Sequence, residues 1–522
     1  MPTFPLNIID YLIIVISIVI PIMISVYFAN KQKTANAFFT AGGTIPAWAI
    51  GMSILATLIS SITFLAYPGE GYSSNWILLV QGLMVPVTLL FFIHFVVPLY
   101  RRVIKISAYE YFEQRFGLFA RMYSSIGFFL VHFSKMGTML FLMALALSNM
   151  VGSNTSQMIW IFGIVIILLT MVGGIEAIVW MDVFQGFMLI IGGLIALFII
   201  IFSIDGGLIT ILKIGSEQGK TGFGPFDFSF VKLTFWVMFL NGIFYAIQKY
   251  GTDQTIVQRY LTAKSDKGAV KASLIGVLLT VPVWALFMFI GTALFVYYKI
   301  NVGQLPEGIK ADEVFPYFIM HKMPVGVIGI VLAGLIAAAI SSLVSDLNCL
   351  SAITLEDYYI RFKKNSTEKQ QMFTSKLTIV IAGLASILVA QYYVNNDGDG
   401  VLSTVFLLYS IFSGGIAGMF LLGVFTKKAN KQGLFIGILA SVIFTGYAVL
   451  TSSKIGEGEA RQLMLDLGDY NYAHHKMMLG VYSHIVLFVV GYIASLFFKS
   501  EKDNSHLTYQ GYMERKKNEQ LS

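Results

Sequence analysis

The chain has 522 residues, of which 57% are hydrophobic and only 12% are charged. Soluble globular domains carry about 25% charged residues, so this composition excludes a soluble domain and indicates an integral membrane protein. The formal net charge of +7 would suit a nucleic-acid partner, but the distribution of the basic residues along the chain indicates a different cause.

Apolar runs long enough to cross a membrane follow one another along the chain. A run of about 20 apolar residues crosses the ~30 Å hydrocarbon layer as a helix, and the sequence predicts thirteen such spans. They are 7–28, 44–67, 74–99, 120–149, 156–172, 182–204, 230–248, 268–298, 323–353, 373–394, 401–421, 431–451 and 478–498. The predicted fold is therefore an all-α integral membrane protein.

The basic residues follow this predicted topology. If the N-terminus lies outside, 25 of the 35 Lys and Arg residues fall in cytoplasmic segments, nine fall on the outer side, and Lys135 lies within the fourth span. Cytoplasmic segments of membrane proteins are enriched in Lys and Arg. The positive charge therefore indicates topology, with the N-terminus outside and the C-terminus cytoplasmic, and no nucleic-acid partner is expected.

The segments between spans are too short for separate domains, which need about 50 residues. We expect residues 1–500 to form one transmembrane domain and 501–522 to be a cytoplasmic polar tail, solvated or disordered. The first span exceeds the core of a signal peptide and should remain as a helix. A single cysteine, Cys349, excludes an internal disulfide and a cysteine-based metal cluster.

The span 44–67 is predicted to be interrupted. Hydroxyl side chains lie near its middle, and Pro68-Gly69 is expected to end it. Because Ser and Thr also serve ordinary helix packing, we assign Ser53 and Thr57 to packing, and Ser60 and Thr63 to function.

The span 230–248 is the second interrupted span, since its apolar part carries Asn241 and Gly242 before the polar run 250–254. Interrupted helices expose backbone carbonyls and helix ends to a central site. Such a pair at matching positions in two halves indicates the binding site of a transporter.

The ninth span carries a polar stripe. Ala338, Ser341, Ser342 and Ser345 are spaced i, i+3, i+4 and i+7, so they share one helix face. A small-residue packing face is the alternative, and it explains the alanines well. Hydroxyls and free carbonyls are hard oxygen ligands, so the serines favour a sodium site facing the interrupted second span.

Two carboxylates are candidates for an ion path. Asp182 begins the sixth span, and a charge at the centre of a span costs ~2.5–3.5 kcal/mol on insertion scales. A solvated carboxylate at the membrane interface is the alternative. Asp346 follows the same argument one turn beyond the serines, nearer to water, and its role stays open.

Lys135 lies deep in an apolar span. Its ammonium group must reach the interface, pair with a carboxylate or bind an anionic ligand. We treat it as a candidate anchor for a substrate carboxylate, with an internal ion pair as the equal alternative. Gln81 in the third span is a candidate hydrogen-bond partner for a polar substrate, with an interhelical bond as the alternative.

The sequence lacks the motifs of several enzyme classes. It contains neither the G-x-x-x-x-G-K-[ST] loop of ATP-binding proteins nor the H-x-x-x-H spacing of metal sites. Arrangements of Ser, His and Asp, or of Cys and His, do not stand out either. We therefore predict that the protein is not an enzyme and that any transport is not driven by hydrolysis.

The chain resembles the sodium:solute symporter family over nearly its whole length. The resemblance rests on the thirteen spans and on four segments, namely 107–116, 173–185, 251–261 and 338–342. Within the family the chain is most similar to the bacterial sialic acid symporters. The resemblance implies a LeuT-like core of two inverted five-helix repeats, about 44–204 and 230–421, each opened by an interrupted span.

The resemblance also implies ligands for sodium. The site would use the carbonyls of Ala56, Ile59 and Ala338 and the hydroxyls of Ser341 and Ser342. Some members of the family bind a second sodium, for which Asp182, Ser341 and Ser345 match here. Val344 stands where those members have another serine, so a second ion stays open.

The substrate residues implied by the resemblance are Ser60, Thr63, Gln81 and Lys135. Leu58 replaces a threonine, and Lys135 stands where arginine is usual. Lysine keeps the positive charge but loses the bidentate geometry of arginine. An anionic substrate is therefore expected.

We expect a sodium-coupled symporter that imports sialic acid or a related anionic sugar by alternating access. Its partners would be sodium, the substrate and the lipid of the cell membrane, with no obligate protein partner. One alternative is a symporter for another solute, such as proline, glucose or a monocarboxylate, although Lys135 argues against neutral sugars. The other is a channel or sensor without coupled transport, but a sensor should carry a signalling domain.

Overall fold

The computed structural model describes residues 6–29, 34–394, 414–455, 462–499 and 504–521. Up to the first broken span, the helices are α1 (Ile8–Ala29), α2 (Ala35–Thr40), α3 (Ala47–Leu58) and α4 (Ser61–Ser73). They continue with α5 (Ile77–Val103), α6 (Glu110–Phe116), α7 (Leu118–Val151), α8 (Thr155–Phe202) and α9 (Gly207–Glu217).

The remaining long helices are α10 (Phe235–Gly251), α11 (Gln254–Thr262), α12 (Asp266–Ile300), α13 (Ala311–Lys322), α14 (Val327–Ile353) and α15 (Glu368–Val394). They are followed by α16 (Ile416–Phe425), α17 (Lys431–Ser452), α18 (Lys476–Ser495) and α19 (Tyr509–Leu521). A π-helical turn, Thr354–Tyr359, extends α14 to Phe362. Short 3-10 turns occur at Ala41–Gly43, Gly468–Tyr470 and Ser505–Leu507, and two short antiparallel strands at Lys454–Ile455 and Gln462–Leu463.

Nine helices in the described residues are long and apolar enough to cross a membrane, or ten if the bent pair α3 and α4 is one span. Two of the thirteen predicted spans, 156–172 and 182–204, lie in α8. There Gly174 has φ 59° and ψ −178°, a conformation that favours glycine, and it separates two helical parts. The predicted span 401–421 lies largely outside the described residues, so the number thirteen stays a prediction.

The first interrupted span is broken, but not where its proline lies. Helices α3 and α4 meet at a bend of 59°, with Ile59 and Ser60 in extended conformations between them. Pro68 does not end the segment, since α4 continues through it to Ser73. Proline is tolerated inside such helices because neighbouring groups satisfy the freed backbone.

The second interrupted span breaks later than Asn241 and Gly242. Helix α10 is continuous through both residues and ends at Gly251, and α11 begins at Gln254. Gly242 serves packing, because a Cβ there would lie 2.8 Å from the carbonyl oxygen of Gln81 in α5. Asp253 caps α11 by accepting from the backbone N–H of Thr255.

Helix α14 forms the centre of the bundle. It packs against α8, α7, α3 and α15, and all but two of its 27 residues are buried. Helix α1 lies outside it, and the buried carboxylate of Asp10 accepts from the N–H groups of Gly326 and Gly329 at 2.8 Å each. This bond caps the start of α14 and fixes α1 to the bundle.

The expectation of a disordered end is wrong for residues 504–521. They form a turn and the helix α19, and the carbonyl of Leu507 accepts from the hydroxyl of Tyr111 at 3.1 Å. The ring of Tyr509 lies 5.0 Å from that of Phe95 in an edge-on contact. Composition missed this segment because a few aromatic and apolar contacts order an otherwise polar helix.

Candidate functional site

The break between α3 and α4 leaves backbone carbonyls without helical partners, because no N–H follows in register to donate to them. The polar stripe of α14 faces these carbonyls. Ser341 Oγ lies 2.9 Å from Ala56 O and 3.3 Å from Ala338 O. Ser342 Oγ lies 3.4, 3.2 and 3.3 Å from the carbonyl oxygens of Ala56, Thr57 and Ile59.

This cluster of oxygens, which we call the oxygen cage, has more acceptors than donors. Two hydroxyl hydrogens face four carbonyl oxygens, and a hydroxyl donates only one hydrogen. Surplus acceptors that converge in a buried place suit a hard cation such as Na⁺. The structure thus brings together Ala56, Ile59, Ala338, Ser341 and Ser342, and it adds the carbonyl of Thr57.

The residues considered for a second sodium do not form one cage. Ser341 belongs to the oxygen cage, whereas Asp182 and Ser345 contact the guanidinium of Arg259. Arg259 Nη2 lies 2.9 Å from Asp182 Oδ2 and 2.9 Å from Ser345 Oγ. Ser53, assigned above to packing, joins this group by accepting from Arg259 Nε at 2.8 Å and donating to Asp182. Asp182 Oδ1 has no hydrogen-bond partner among the described residues.

A cavity lies beside the same break. Ser60, Thr63, Gln81 and Lys135 all line it. Ser60 is the N-cap of α4, where its hydroxyl accepts from the N–H of Ile62 at 3.3 Å. The start of α4 therefore directs its positive helix end toward the cavity, which favours an anionic ligand.

Aromatic side chains form much of the remaining wall. Tyr67 stacks on Trp284 with ring centroids 6.5 Å apart, and Phe244 and Tyr245 lie on the α10 side. Leu58 also lines the cavity. Apolar walls with a few polar groups are typical of sites for small molecules.

Lys135 is paired inside the protein, as its second interpretation predicted. Its Nζ lies 3.1 Å from Asp346 Oδ2 and 3.4 Å from Oδ1. Its side chain is 19% exposed, whereas that of Asp346 is fully buried. Lys135 therefore remains accessible from the cavity while it neutralises a buried carboxylate.

A second ion pair lies next to the first. Lys249 Nζ lies 2.6 Å from Asp253 Oδ2, and Lys249 also lines the cavity. His132 connects the two pairs, with Nδ1 3.0 Å from Asp346 Oδ1 and Nε2 3.5 Å from Asp253 Oδ2. We call these five residues, Lys135, Asp346, His132, Asp253 and Lys249, the charge cluster.

Sequence reasoning missed Lys249, Asp253, His132 and Arg259. It placed the segment 249–271 on the cytoplasmic side, yet the side chains of Lys249 and Arg259 are buried. Two signals were present in the sequence. Lys249 and Asp253 are spaced i, i+4, and His132 precedes Lys135 by three residues, spacings that would place each pair on one face of a continuous helix.

Several known proteins are similar to this chain in sequence. The family model for the sodium:solute symporter family matches residues 38–441. The sodium/sialic acid symporter NanT of Aliivibrio fischeri is 30% identical over 487 residues, covering 93% of this chain and 92% of that protein. The sodium/sialic acid symporter SiaT of Proteus mirabilis is 35% identical over 427 residues, covering 81% and 86%.

A solved structure shows the same fold. It is the substrate-bound, outward-open state of a Na⁺-coupled sialic acid symporter, which superposes with a TM-score of 0.86 at 31% identity. The match covers 95% of this chain and 99% of that one.

Proposed function

Because the chain belongs to the sodium:solute symporter family, we propose that it is a sodium-coupled symporter that imports sialic acid or a related anionic sugar by alternating access. One observation carries this proposal. The broken helix α3–α4 contributes carbonyls to the oxygen cage and Ser60 and Thr63 to the cavity that Lys135 enters. An ion and an anion would thus bind on opposite sides of one helix break.

Sodium would bind in the oxygen cage. The carbonyls of Ala56, Ile59 and Ala338 and the hydroxyls of Ser341 and Ser342 would hold it, and an ion there would tie α3 to α14. Each sodium that moves inward gains ~2.3 kcal/mol per 100 mV of membrane potential, in addition to its concentration gradient.

The substrate would bind in the cavity. Lys135 would meet its carboxylate, the hydroxyls of Ser60 and Thr63 and the amide of Gln81 would meet its polar groups, and Tyr67 and Trp284 would face its less polar side. Coupling follows if sodium favours the conformation in which Ser60 and Thr63 are positioned to bind the substrate. The same linkage requires that the substrate raise the affinity for sodium by an equal factor.

Alternating access would follow from the repeated architecture. We propose that about 44–204 and 230–421 form the two inverted repeats, opened by α3–α4 and by α10–α11. The multi-pass chain would lie in the cell membrane with the N-terminus outside and the C-terminus in the cytoplasm, an orientation that the distribution of Lys and Arg supports. On that assignment, Arg121 pairs with Asp357 on the cytoplasmic side and braces α7 against the end of α14.

Uptake into proteoliposomes tests the proposal. We expect radiolabelled N-acetylneuraminate to accumulate under an inward sodium gradient and not under an equal potassium gradient. Proline, glucose and a monocarboxylate serve as competitors, and neutral solutes should not displace the acidic sugar. Equal uptake with and without sodium would exclude coupling. Accumulation of proline or glucose, without accumulation of the acidic sugar, would show that the transporter has a different substrate.

A further inference from the structure

The charge cluster contains one more titratable group than its ion pairs need. Lys249 pairs with Asp253 at 2.6 Å and Lys135 with Asp346 at 3.1 Å, so the two lysines balance the two aspartates. His132 lies between the aspartates without being required for that balance. A buried histidine with a carboxylate at each ring nitrogen therefore calls for a function of its own.

The geometry around His132 suits a change of protonation. A neutral imidazole carries one N–H and can serve one carboxylate, whereas the imidazolium donates from both nitrogens. Here Nδ1 lies 3.0 Å from Asp346, and Nε2 lies 3.5 Å from Asp253, and Nδ1 makes no hydrogen bond among the described residues. On its remaining side the ring stacks on Phe128, with centroids 3.7 Å apart, so the histidine is held in place in either state.

Substrate binding would disturb this balance at one place. Lys135 is the member of the cluster that is partly exposed, at 19%, whereas the side chains of the other four are at most 7% exposed. Its pair is also longer than that of Lys249 and Asp253. A carboxylate that enters the cavity would therefore bind Lys135 and share it with Asp346.

The charge then becomes unfavourable. Within the charge cluster, two lysines would face three carboxylates, because the proposed sodium would bind the carbonyls and hydroxyls of the oxygen cage on the other side of the helix break. An uncompensated charge in a buried membrane site is costly. The other groups near the cluster are poor proton acceptors at neutral pH. They are Tyr109 and Tyr245, which interact with Asp253, Cys349, which lies near both aspartates, and Arg259, which lies near Cys349. His484 also lines the cavity, but among the described residues no hydrogen bond or ion pair joins its side chain to the charge cluster.

We propose that His132 takes up one proton when an anionic substrate binds Lys135, so that the transporter binds a proton together with sodium and substrate. This inference rests on the proposed function. The charges balance because the substrate adds one negative charge and the proton adds one positive charge, and the imidazolium would face both Asp346 and Asp253. With one sodium, the loaded site would hold one positive charge more than the empty site.

Calorimetry of the purified full-length chain tests the proposal. N-acetylneuraminate is titrated in saturating sodium at about pH 7.5, within the physiological range. The titration is repeated in buffers of different ionisation enthalpy. The slope of the observed enthalpy against that ionisation enthalpy counts the protons taken up, and we expect about one per bound sugar. The control variant is His321→Gln, a histidine of α13 that stacks on Tyr317 outside the cavity, and it should keep this value.

Two variants separate a proton acceptor from a merely structural histidine. His132→Gln should bind the sugar more weakly and take up no proton. Asp346→Asn removes one negative charge from the cluster, so the charge of the bound sugar would be balanced without a proton. Proton uptake should therefore again fall to zero, although His132 is present. Proton uptake that persists in His132→Gln or in Asp346→Asn would overturn the proposal.

Measurements on the wild-type protein also distinguish a failure of the His132 proposal from a failure of the proposed function. Binding of N-acetylneuraminate without proton uptake would overturn the role of His132 and leave the proposed symport intact. If N-acetylneuraminate does not bind at all, the proposed function fails and this inference falls with it.

Discussion

Arg259 and Asp182 form an ion pair of 2.9 Å in the centre of the bundle, with side chains 0% and 1% exposed. The guanidinium also contacts Ser345 and Ser53, so it already supplies a cation to the oxygens that a second sodium would need. Val344 stands where the resemblance would place another serine. The arrangement therefore favours transport with a single sodium.

The number of sodium ions can be read from cooperativity. We expect substrate uptake to rise with sodium concentration with a Hill coefficient of about 1, because of the two candidate sodium sites in the described part of the chain, the oxygen cage is the one without a protein cation. Initial rates of uptake in proteoliposomes at fixed substrate measure it. A coefficient approaching 2, lost in Asp182→Asn, would assign the unpartnered Oδ1 of Asp182 to a second ion.

Asp182 should matter for stability as well. Asp182→Asn leaves the buried guanidinium of Arg259 without its charged partner, and breaking a buried pair in this way costs roughly 3–5 kcal/mol. We expect a clearly lower Tm in detergent. Asp205→Asn is the matched control, since Asp205 is exposed just after α8. An unchanged Tm in Asp182→Asn would contradict the structural role of the pair.

Ser342 should set the affinity for sodium. Its hydroxyl faces three carbonyls of the oxygen cage, and a hydrogen bond or ligand to a charged group contributes about 1.5–3 kcal/mol. Ser342→Ala should therefore raise the sodium concentration for half-maximal substrate binding at least about tenfold, while the protein stays folded. Ser351→Ala is the control, because Ser351 is buried in the same helix but donates to Ser375 O at 2.8 Å. Unchanged sodium activation would remove Ser342 from the site.

Lys135 should decide whether anions bind. Lys135→Ala removes the ammonium group that lines the cavity, and we expect sialic acid affinity to fall roughly 10- to 100-fold. Lys135→Arg keeps the charge and adds bidentate geometry, so it should retain or improve binding. Lys213→Ala, an exposed lysine of α9, is the control. Affinity that persists in Lys135→Ala would leave Lys135 as a purely internal partner of Asp346.

Asp312 should make the packing of α13 depend on pH. Burial, followed by the charges of Glu70 and Glu313, raises the pKa of Asp312 to about 6, against an opposing effect of Lys310. Since the folded-state pKa lies above the ordinary value, the contribution to stability is fully present below about pH 4 and is lost as pH rises through about 6. The Tm should therefore fall over this range more in the wild type than in Asp312→Asn. Glu307 is exposed in the turn before α13, so Glu307→Gln should behave like the wild type.

Much of the site could be predicted from the sequence because its residues are local. The serines of α14 share one helix face, and the hydroxyls of 57–63 mark the break between α3 and α4. Local spacing places such groups within one turn of each other, so the structure needed only to bring two segments together. The exact break in the second interrupted span was missed, since Asn241 and Gly242 serve packing while Thr252 and Asp253 form the break.

By itself, the sequence determined the class of protein, the approximate positions of its spans, the polar stripe of α14 and the presence of a lysine in the membrane. Only the tertiary structure decided which charges meet. Lys135 with Asp346, His132 between two aspartates, and Arg259 with Asp182 each join residues from different helices. The three pairs that meet at 3.4 Å or less are separated by 77 to 214 positions. The physical reason is that a buried charge is unfavourable without a partner of opposite charge, whereas the packing of the helices determines which partner lies close enough to pair with it.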